Sequence, residues 1–249
     1  FDSNYINYGI REHAMCSIAN GLSTFGILPV VSTFLIFITY CLAPIRMAAL
    51  SNHKVLFVLT HDSVFLGEDG PTHQPIESLT ILRSIPNLLV LRPCDTREVC
   101  GAYQIALEHN GPSVLILSRQ TLPNIEKSNI ENIKYGAYIV YEPETINKII
   151  IATGSEVSLA IDVAKELNNV RVVSMPCCEL FDLQNNDYKE QILPKEIQKI
   201  SLEAGATIGW YKYANYVYGI DTFGNSGNIN DLKTHFGFEK DKLIKYLKK

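Results

Sequence analysis

The sequence lacks the cysteine pattern of a protein stabilised by disulfides or by a cysteine-bound metal ion. Its six cysteines are scattered over 249 residues, and no two are spaced as C-x-x-C. This density is too low for a disulfide scaffold, so we expect reduced thiols in a cytosol-like compartment. The sequence also has no low-complexity segment and no short-period repeat.

Positive charge is not concentrated anywhere in the chain. The formal net charge is -4, charged residues make up 19% of the sequence, and no stripe of Lys and Arg stands out. We therefore predict that the protein does not bind nucleic acid. Hydrophobic residues make up 47% of the chain, which is typical of a globular protein of one or two domains at this length.

One long stretch, residues 14–45, lacks charged side chains altogether. Its composition resembles that of a membrane span. Pro29 and Pro44 interrupt it, together with Gly, Ser, Thr and Asn residues, and breakers and hydroxyls at that density are costly in lipid. We predict a buried strand and helix here, and no membrane partner.

Short apolar runs alternate with segments of helical period. The runs are continuous, which is typical of strands buried on both faces of a parallel sheet; they cover residues 54–60, 87–93, 113–119, 148–154 and 170–176. Helical spacing predicts one helix over residues 96–109, with Asp95 as its N-cap, and another from residue 156 to about 168. Ser155 is expected to cap the second helix, and Gly154 to form the tight turn before it.

Residues 123–135 lose the apolar periodicity and become polar, which predicts a linker. Strand–helix–strand units lie on both sides of it, and such repeats fold as right-handed crossovers. The predicted domains are residues 1–122 and 136–249. The predicted fold class is α/β, with two doubly wound units and mainly parallel sheets.

The stretch "HDSVFLGEDGPTHQPIE", residues 61–77, contains two histidines and four acidic residues and directly follows an apolar run. Ligands of open parallel sheets bind at the carboxyl ends of the strands. We therefore expect His61, Asp69 and His73 at the mouth of an active site suited to a polar substrate with several hydroxyls. A solvated turn with incidental charge is the alternative interpretation.

Three further features are ambiguous when each is taken alone. Glu12 begins a predicted helix, where a carboxylate complements the helix dipole. Phe34, Phe37 and Tyr40 are three apart, on one face of a predicted helix, a pattern more typical of core packing than of a cofactor site. Arg119 closes the run 113–119 at the ligand-binding edge, although a charge there is commonly a surface anchor.

Taken together and in order, these motifs resemble transketolases. The resemblance covers essentially the whole chain and rests on "YGIREHAM", "TFLIFITY", "THDSVFLGEDGPTHQPIE", "LRPCDTREV", "LSRQTLP", "ATGSEVSLA" and "WYKYANYVYGIDTFGNSG". The "GEDGPTHQPIE" and "LSRQ" blocks favour transketolase over 1-deoxy-xylulose-5-phosphate synthase and the pyruvate dehydrogenase beta subunit. By this resemblance, residues 1–122 form a pyrimidine-binding domain that lacks its opening portion, and residues 136–249 form the carboxyl-terminal domain.

The resemblance implies a cofactor site. Transketolases use thiamine diphosphate to move a two-carbon ketol unit from a ketose phosphate to an aldose phosphate, in the pentose phosphate pathway. Glu12 is implied as a catalytic residue that hydrogen-bonds the pyrimidine nitrogen, keeping a proton there so that the cofactor can lose the proton at its own thiazolium carbon. Phe34, Phe37 and Tyr40 are implied to surround the aminopyrimidine ring.

The resemblance also implies a substrate channel for sugar phosphates. His61 and Arg119 match positions that bind the phosphate, and Asp69 matches the residue that contacts the C2 hydroxyl. His73 matches a catalytic position near the reacting carbons, able to donate to a developing alkoxide. Two departures from the family pattern are Ile36 and Phe65; the second is expected to narrow the channel or repack the loop.

A third departure is an absence. The family binds the diphosphate and a divalent metal, Mg²⁺ or Ca²⁺, through a "GDG…N" motif in an amino-terminal domain, and this sequence has no such motif. The chain also begins at Phe1 rather than Met, so we expect a fragment that provides no metal ligand and is inactive alone. The complete protein is expected to be a cytoplasmic homodimer, with a plastid form as the alternative.

Two other functions stay open at this point. One is a dihydroxyacetone synthase-like enzyme, which transfers the ketol unit to formaldehyde. The other is a noncatalytic thiamine-fold subunit, an alternative that substitutions at Glu12, His61 or His73 would have favoured; all three are present.

Overall fold

Two β-sheets organise the chain in the computed structural model, which describes residues 4–248. Residues 1–3 and 249, where the predicted domains begin and end, lie outside the described residues. The first sheet has the order β1-β2-β4-β3 and all its strands are parallel. Its strands are β1 (Val30–Phe34), β2 (Leu56–Thr60), β3 (Leu89–Leu91) and β4 (Ser113–Leu117).

The second sheet has the order β5-β7-β6-β8-β9. β5 runs antiparallel to β7, and the other pairs are parallel. Its strands are β5 (Tyr138–Tyr141), β6 (Lys148–Ala152), β7 (Val170–Ser174), β8 (Gln198–Leu202) and β9 (Tyr216–Tyr218). The predicted α/β class, with one parallel and one mainly parallel sheet, is confirmed.

Helices connect and cover the strands of both sheets. They are α1 (Glu12–Ser23), α2 (Ile38–Leu50), α3 (Ser78–Arg83), α4 (Thr96–Glu108), α5 (Glu156–Leu167), α6 (Cys178–Asp182), α7 (Asn186–Ile192), α8 (Ile229–Phe236) and α9 (Lys240–Leu247). Short 3₁₀ helices occupy Leu35–Phe37, Val64–Leu66, Glu131–Tyr135 and Thr207–Lys212.

The predicted helix ends are correct at α4 and α5 to within one residue, but one predicted cap is wrong. The Asp95 carboxylate accepts a hydrogen bond from the Glu98 backbone N–H at 2.9 Å, which confirms it as the N-cap of α4. Ser155 makes no such bond. Its backbone is already helical, at φ -61° and ψ -21°, whereas a capping side chain needs extended backbone. Gly154, at φ +52°, forms the predicted turn.

The charge-free stretch 14–45 folds as most of α1, then β1 and the first part of α2. Pro44 lies inside α2, and the backbone of Cys41 is non-helical at φ -129° and ψ 18°. Within residues 4–248, no helix combines the length and the hydropathy that crossing a membrane requires. All six cysteines are free thiols.

Two features join the two sheets into one structure. A single cluster of buried side chains includes strand residues of both sheets, among them Leu115 of β4 and Ile150 of β6. Residues 123–135, predicted as a linker, pack against α4, where Asp95 accepts hydrogen bonds from the Ile125 N–H at 2.9 Å and from the Ser128 hydroxyl at 2.5 Å. The carboxyl edge of the first sheet therefore faces parts of the second half.

Candidate active site

Three strand ends meet at the carboxyl edge of the first sheet. The register pairs Phe34 of β1 with Thr60 of β2, and Thr60 with Leu117 of β4. Phe34 thus ends its strand beside His61, which follows β2. Arg119 comes two residues after the end of β4, at the same edge.

Phe34, Phe37 and Tyr40 form the predicted group of rings, but they do not share a helix. The Phe34 and Phe37 rings are stacked with centroids 5.7 Å apart, and the Phe37 and Tyr40 rings are 6.0 Å apart. Phe34 has extended backbone because it pairs with β2, Phe37 closes a 3₁₀ turn, and only Tyr40 lies in α2. The helix-face prediction is wrong for this reason. Tyr40 is 65% exposed, so its ring face is available to a ligand.

Both predicted histidines contact these rings. The His61 ring stacks on Phe34 with centroids 3.6 Å apart, and the His73 ring meets Phe37 edge-on at 5.6 Å. The Nδ1 of each imidazole is within 2.9 Å of the hydroxyl of the preceding threonine. This contact orients each ring and leaves its Nε2 without a hydrogen-bond partner within residues 4–248.

The backbone of His61 is left-handed, with φ +62°. A non-glycine residue in this region is uncommon, and it persists where the surroundings hold it. The next residue supplies such a hold: the Asp62 carboxylate is buried and accepts hydrogen bonds from Arg92 Nε at 3.1 Å and Nη2 at 2.7 Å.

Charges converge on the His61 imidazole. Its pKa is lowered from the ordinary value, first by burial and then by the positive charge of Arg119; the Asp69 and Asp62 carboxylates oppose this shift, and His73 adds to it. The predicted substrate group therefore shares one electrostatic environment. A neutral imidazole beside an exposed guanidinium can donate to, and attract, an anionic group.

Glu12 makes no direct contact with this group within the described residues. It begins α1 and is half-buried, and no hydrogen bond, ion pair or ring contact reaches its carboxylate within residues 4–248. The Cys16 thiol of the same helix has a raised pKa, caused by the Cys41 thiol, by burial and, last, by the charge of Glu12. Cys16 lies in α1 with Glu12, and Cys41 follows Tyr40 in α2. The packing of α1 on α2 therefore connects the helix of Glu12 to the helix that carries Tyr40.

Sequence reasoning missed a buried ionic network behind the loop. Arg92 is fully buried, and its Nη1 lies 2.5 Å from Glu156 and 2.8 Å from the Thr153 hydroxyl. Glu203 continues the network through a bidentate pair with Arg83, both bonds 2.8 Å long. A signal was available, because Arg92 is the only charged residue in the apolar run 87–93.

Phe65, the departure in the loop, points into the second half. It is 3% exposed, and its ring meets Phe238 edge-on with centroids 5.4 Å apart. Of the two expectations for Phe65, repacking of the loop fits this contact. No group of three or more His, Cys, Asp or Glu side chains placed to hold a metal ion occurs between residues 4 and 248.

The fold is that of an α/β protein, and its candidate site lies at the carboxyl ends of parallel strands, the edge at which open α/β sheets bind ligands. The family model described as "Transketolase, pyrimidine binding domain" matches residues 1–124, and that described as "Transketolase-like TK C-terminal domain" matches residues 136–239. The chain belongs to the transketolase family.

Named relatives agree with these matches. The chain is 48% identical over 262 residues to "Transketolase" of Buchnera aphidicola subsp. Baizongia pistaciae, covering 98% of this chain and 39% of the relative. A solved transketolase from Leishmania mexicana aligns with TM-score 0.95 and 46% identity, covering 97% of this chain and 37% of that one. A mutant transketolase from Pichia stipitis, described as a complex with fructose 6-phosphate, aligns with TM-score 0.95 and 42% identity over 98% of this chain and 37% of that one. The chain thus spans a little over a third of the length of these relatives.

Proposed function

We propose that this chain forms the pyrimidine-binding side of a transketolase active site, in a protein that transfers a two-carbon ketol unit from a ketose phosphate to an aldose phosphate in the pentose phosphate pathway. One observation carries the proposal. At one sheet edge, a group of rings adjoins an exposed arginine and two histidines whose Nε2 atoms have no hydrogen-bond partner among the described residues.

Glu12, Phe34, Phe37 and Tyr40 fit the pyrimidine ring of thiamine diphosphate. The Glu12 carboxylate has no partner within residues 4–248 and is half-buried, so it can share a proton with a ring nitrogen. The three aromatic rings supply faces for stacking. When bound, the cofactor supplies the carbanion chemistry of ketol transfer. Glu12 acts by holding a proton at the nitrogen it contacts.

The histidines and Arg119 fit a phosphorylated sugar. Arg119 offers a planar fork of donors to the phosphate, and the neutral His61 ring donates beside it. Asp69 accepts from a substrate hydroxyl. His73, oriented through its Nδ1 by Thr72, directs Nε2 to the reacting carbons and donates to oxygen as negative charge develops there.

The division of the chain is part of the proposal. We assign residues 1–122 to the pyrimidine-binding domain, 123–135 to a connection and 136–249 to the carboxyl-terminal domain. Two separate sheets and the two matched ranges support these boundaries. We assign the residues that bind the diphosphate and Mg²⁺ or Ca²⁺ to sequence outside this chain, so the chain alone is inactive. We assign the active protein to a homodimer.

An acceptor comparison tests the proposal. The full-length parent protein is assayed with thiamine diphosphate, Mg²⁺ and a ketose phosphate donor, with ribose 5-phosphate or formaldehyde as acceptor. Ketol transfer to ribose 5-phosphate is expected. Transfer only to formaldehyde indicates a dihydroxyacetone synthase-like enzyme, and no transfer to either indicates a noncatalytic subunit. Normal turnover by the 249-residue chain would contradict the assignment of cofactor ligands outside it.

A further inference from the structure

The substrate loop, defined here as residues 61–77, is hydrogen-bonded to the carboxyl-terminal half at several points. Near its middle, the Ser226 hydroxyl donates to the Glu68 carbonyl at 2.8 Å. Near its end, the Ala206 N–H donates to the Ile76 carbonyl at 2.9 Å. These contacts are separate from the buried Arg92 network, which holds the start of the loop.

The Gln74 side chain makes several hydrogen bonds at one point of this contact. Its side chain is buried, at 2% exposure, and its Nε2 lies 3.1 Å from the carbonyls of both Val64 and Gly67 and 2.8 Å from the carbonyl of Asn225. Three surrounding carbonyls fix the orientation of the amide, because a flipped group would place Oε1 against three acceptors. One side chain therefore ties both ends of the 64–67 turn to the carboxyl-terminal half.

Gly224 lets the two segments approach this closely. A Cβ on Gly224 would lie 1.8 Å from Gln74 Oε1 and 3.0 Å from Gln74 Cβ, so the Gln74 side chain would have to move. A Cβ on Gly70, in the loop, would lie 3.4 Å from the Ser226 side chain. Residues 224–226 and the loop thus pack closely against each other.

We propose that Gln74 and residues 224–226 are positioning residues of the substrate site. They hold the loop so that Asp69 and His73 face the substrate; the inference rests on the proposed function. Asp69 lies next to Glu68, which Ser226 holds, and His73 precedes Gln74. The loop has positive φ at Gly67, just before Glu68, and at Gly70, between the two points, +103° and +73°; glycine leaves the free chain many alternatives at these positions.

Gly224→Ala in the full-length protein tests the proposal, with Gly227→Ala as its matched control. The Cβ on Gly227 meets only ordinary contacts, the nearest at 3.7 Å from Leu232. We expect Gly224→Ala to lower kcat/KM for the ketose phosphate about 100-fold, since a displacement of about 1 Å from remote sites costs this much. The Kd for thiamine diphosphate should not change, and hydrogen exchange of amides 66–73 should accelerate. Gly227→Ala should match the parent in all three measurements.

Two substitutions of Ser226 test the same contact with a smaller change in packing than Gly224→Ala. Ser226→Ala removes the bond to Glu68, whereas Ser226→Thr keeps the hydroxyl. We expect faster exchange and a raised KM in the first variant and rescue of both in the second. Equal behaviour of the two variants would count against the bond.

Hydrogen exchange separates the two proposals, because it needs no turnover. An inactive parent protein would overturn the proposed function, while exchange in Gly224→Ala still decides whether these residues hold the loop. Unchanged exchange in Gly224→Ala would overturn the inference. Accelerated exchange with unchanged kcat/KM in an active protein would overturn it as well, because the position of the loop would then not matter for the substrate.

Discussion

The imidazole of His61 lies against the phenyl ring of Phe34, with centroids 3.6 Å apart and planes inclined by 24°. Phe34 also stacks on Phe37 at 5.7 Å. Phe34, a member of the ring group assigned to the cofactor, thus directly contacts the histidine assigned to the substrate. This contact follows directly from the parallel pairing of β1 with β2.

The first prediction concerns the titration of His61. Arg119→Ala should raise the pKa of His61 toward its ordinary value, because the Arg119 charge is, after burial, the largest cause of the lowered pKa. An NMR titration of the imidazole measures the midpoint. Arg119→Lys keeps the charge and is the control, with a midpoint expected to remain low. An identical midpoint in Arg119→Ala would show that the guanidinium does not act on the ring.

The second prediction concerns substrate affinity. In the full-length protein, Arg119→Ala should raise KM for phosphorylated sugars by about tenfold or more, because a hydrogen bond to a charged group contributes about 1.5–3 kcal/mol. The effect on kcat should be smaller. Arg46→Ala, which removes an exposed arginine of α2, is the control. The phosphate assignment would be wrong if KM stayed the same.

The third prediction concerns Glu12. Glu12→Ala in the full-length protein should lower kcat by about 10²–10³ with saturating thiamine diphosphate, as the loss of one directed polar contact in a transition state does. The melting temperature should change little, because the carboxylate has no bond within residues 4–248. Asp187→Ala removes a comparable carboxylate from the first turn of α7 and should affect neither quantity. Near-normal turnover of Glu12→Ala would leave Glu12 only its role at the helix end.

The fourth prediction concerns stability and pH. Burial by itself opposes ionisation of Glu203, yet the charge and hydrogen bonds of Arg83, the charge of Arg92 and the hydrogen bond from Thr153 lower its pKa to about 2, from an ordinary value of 4.5. A carboxyl group with a lowered pKa stabilises the folded state above pH 4.5, and this contribution is lost as the pH falls toward 2. Glu156, whose pKa burial raises, contributes with the opposite sign. A variant of Glu203 is therefore needed to isolate its part.

Urea unfolding of Glu203→Gln at a series of pH values makes this measurement. We expect a loss of about 3–5 kcal/mol at pH 7, since the buried Arg92 and the partly buried Arg83 lose a partner, and a weaker dependence of the unfolding free energy on pH between 2 and 4.5. Glu142→Gln breaks a pair with Arg171 in which the Glu142 side chain is 37% exposed, and should cost only about 1 kcal/mol. An unaltered pH dependence in Glu203→Gln would contradict the lowered pKa.

Local patterns predicted the elements well where one physical cause dominated. The continuous apolar runs at 113–119 and 148–154 became β4 and β6 because both faces of these strands are covered. Asp95 was a reliable cap because its carboxylate reaches the Glu98 N–H through local geometry alone. The grouping of Phe34, Phe37 and Tyr40 was also correct, although it came from a helical period that the structure does not follow.

Other features depended on contacts between distant parts of the chain. Phe34 is extended because β2, more than twenty residues later, pairs with it. Ser155 turns its hydroxyl to the Glu156 carboxylate, whose other oxygen meets Arg92, 64 positions earlier in the chain. The bond from Gln74 to Asn225 spans 151 positions, and no local pattern encodes it.

The left-handed backbone of His61 limits how its imidazole can be removed by mutagenesis. Alanine adopts this φ of +62° less readily than histidine does, and a β-branched residue is a genuine outlier there, so a defect in either variant would combine backbone strain with the loss of the ring. Asparagine and glycine tolerate this conformation. His61→Asn is therefore the substitution that separates the chemistry of the ring from the shape of the chain beneath it.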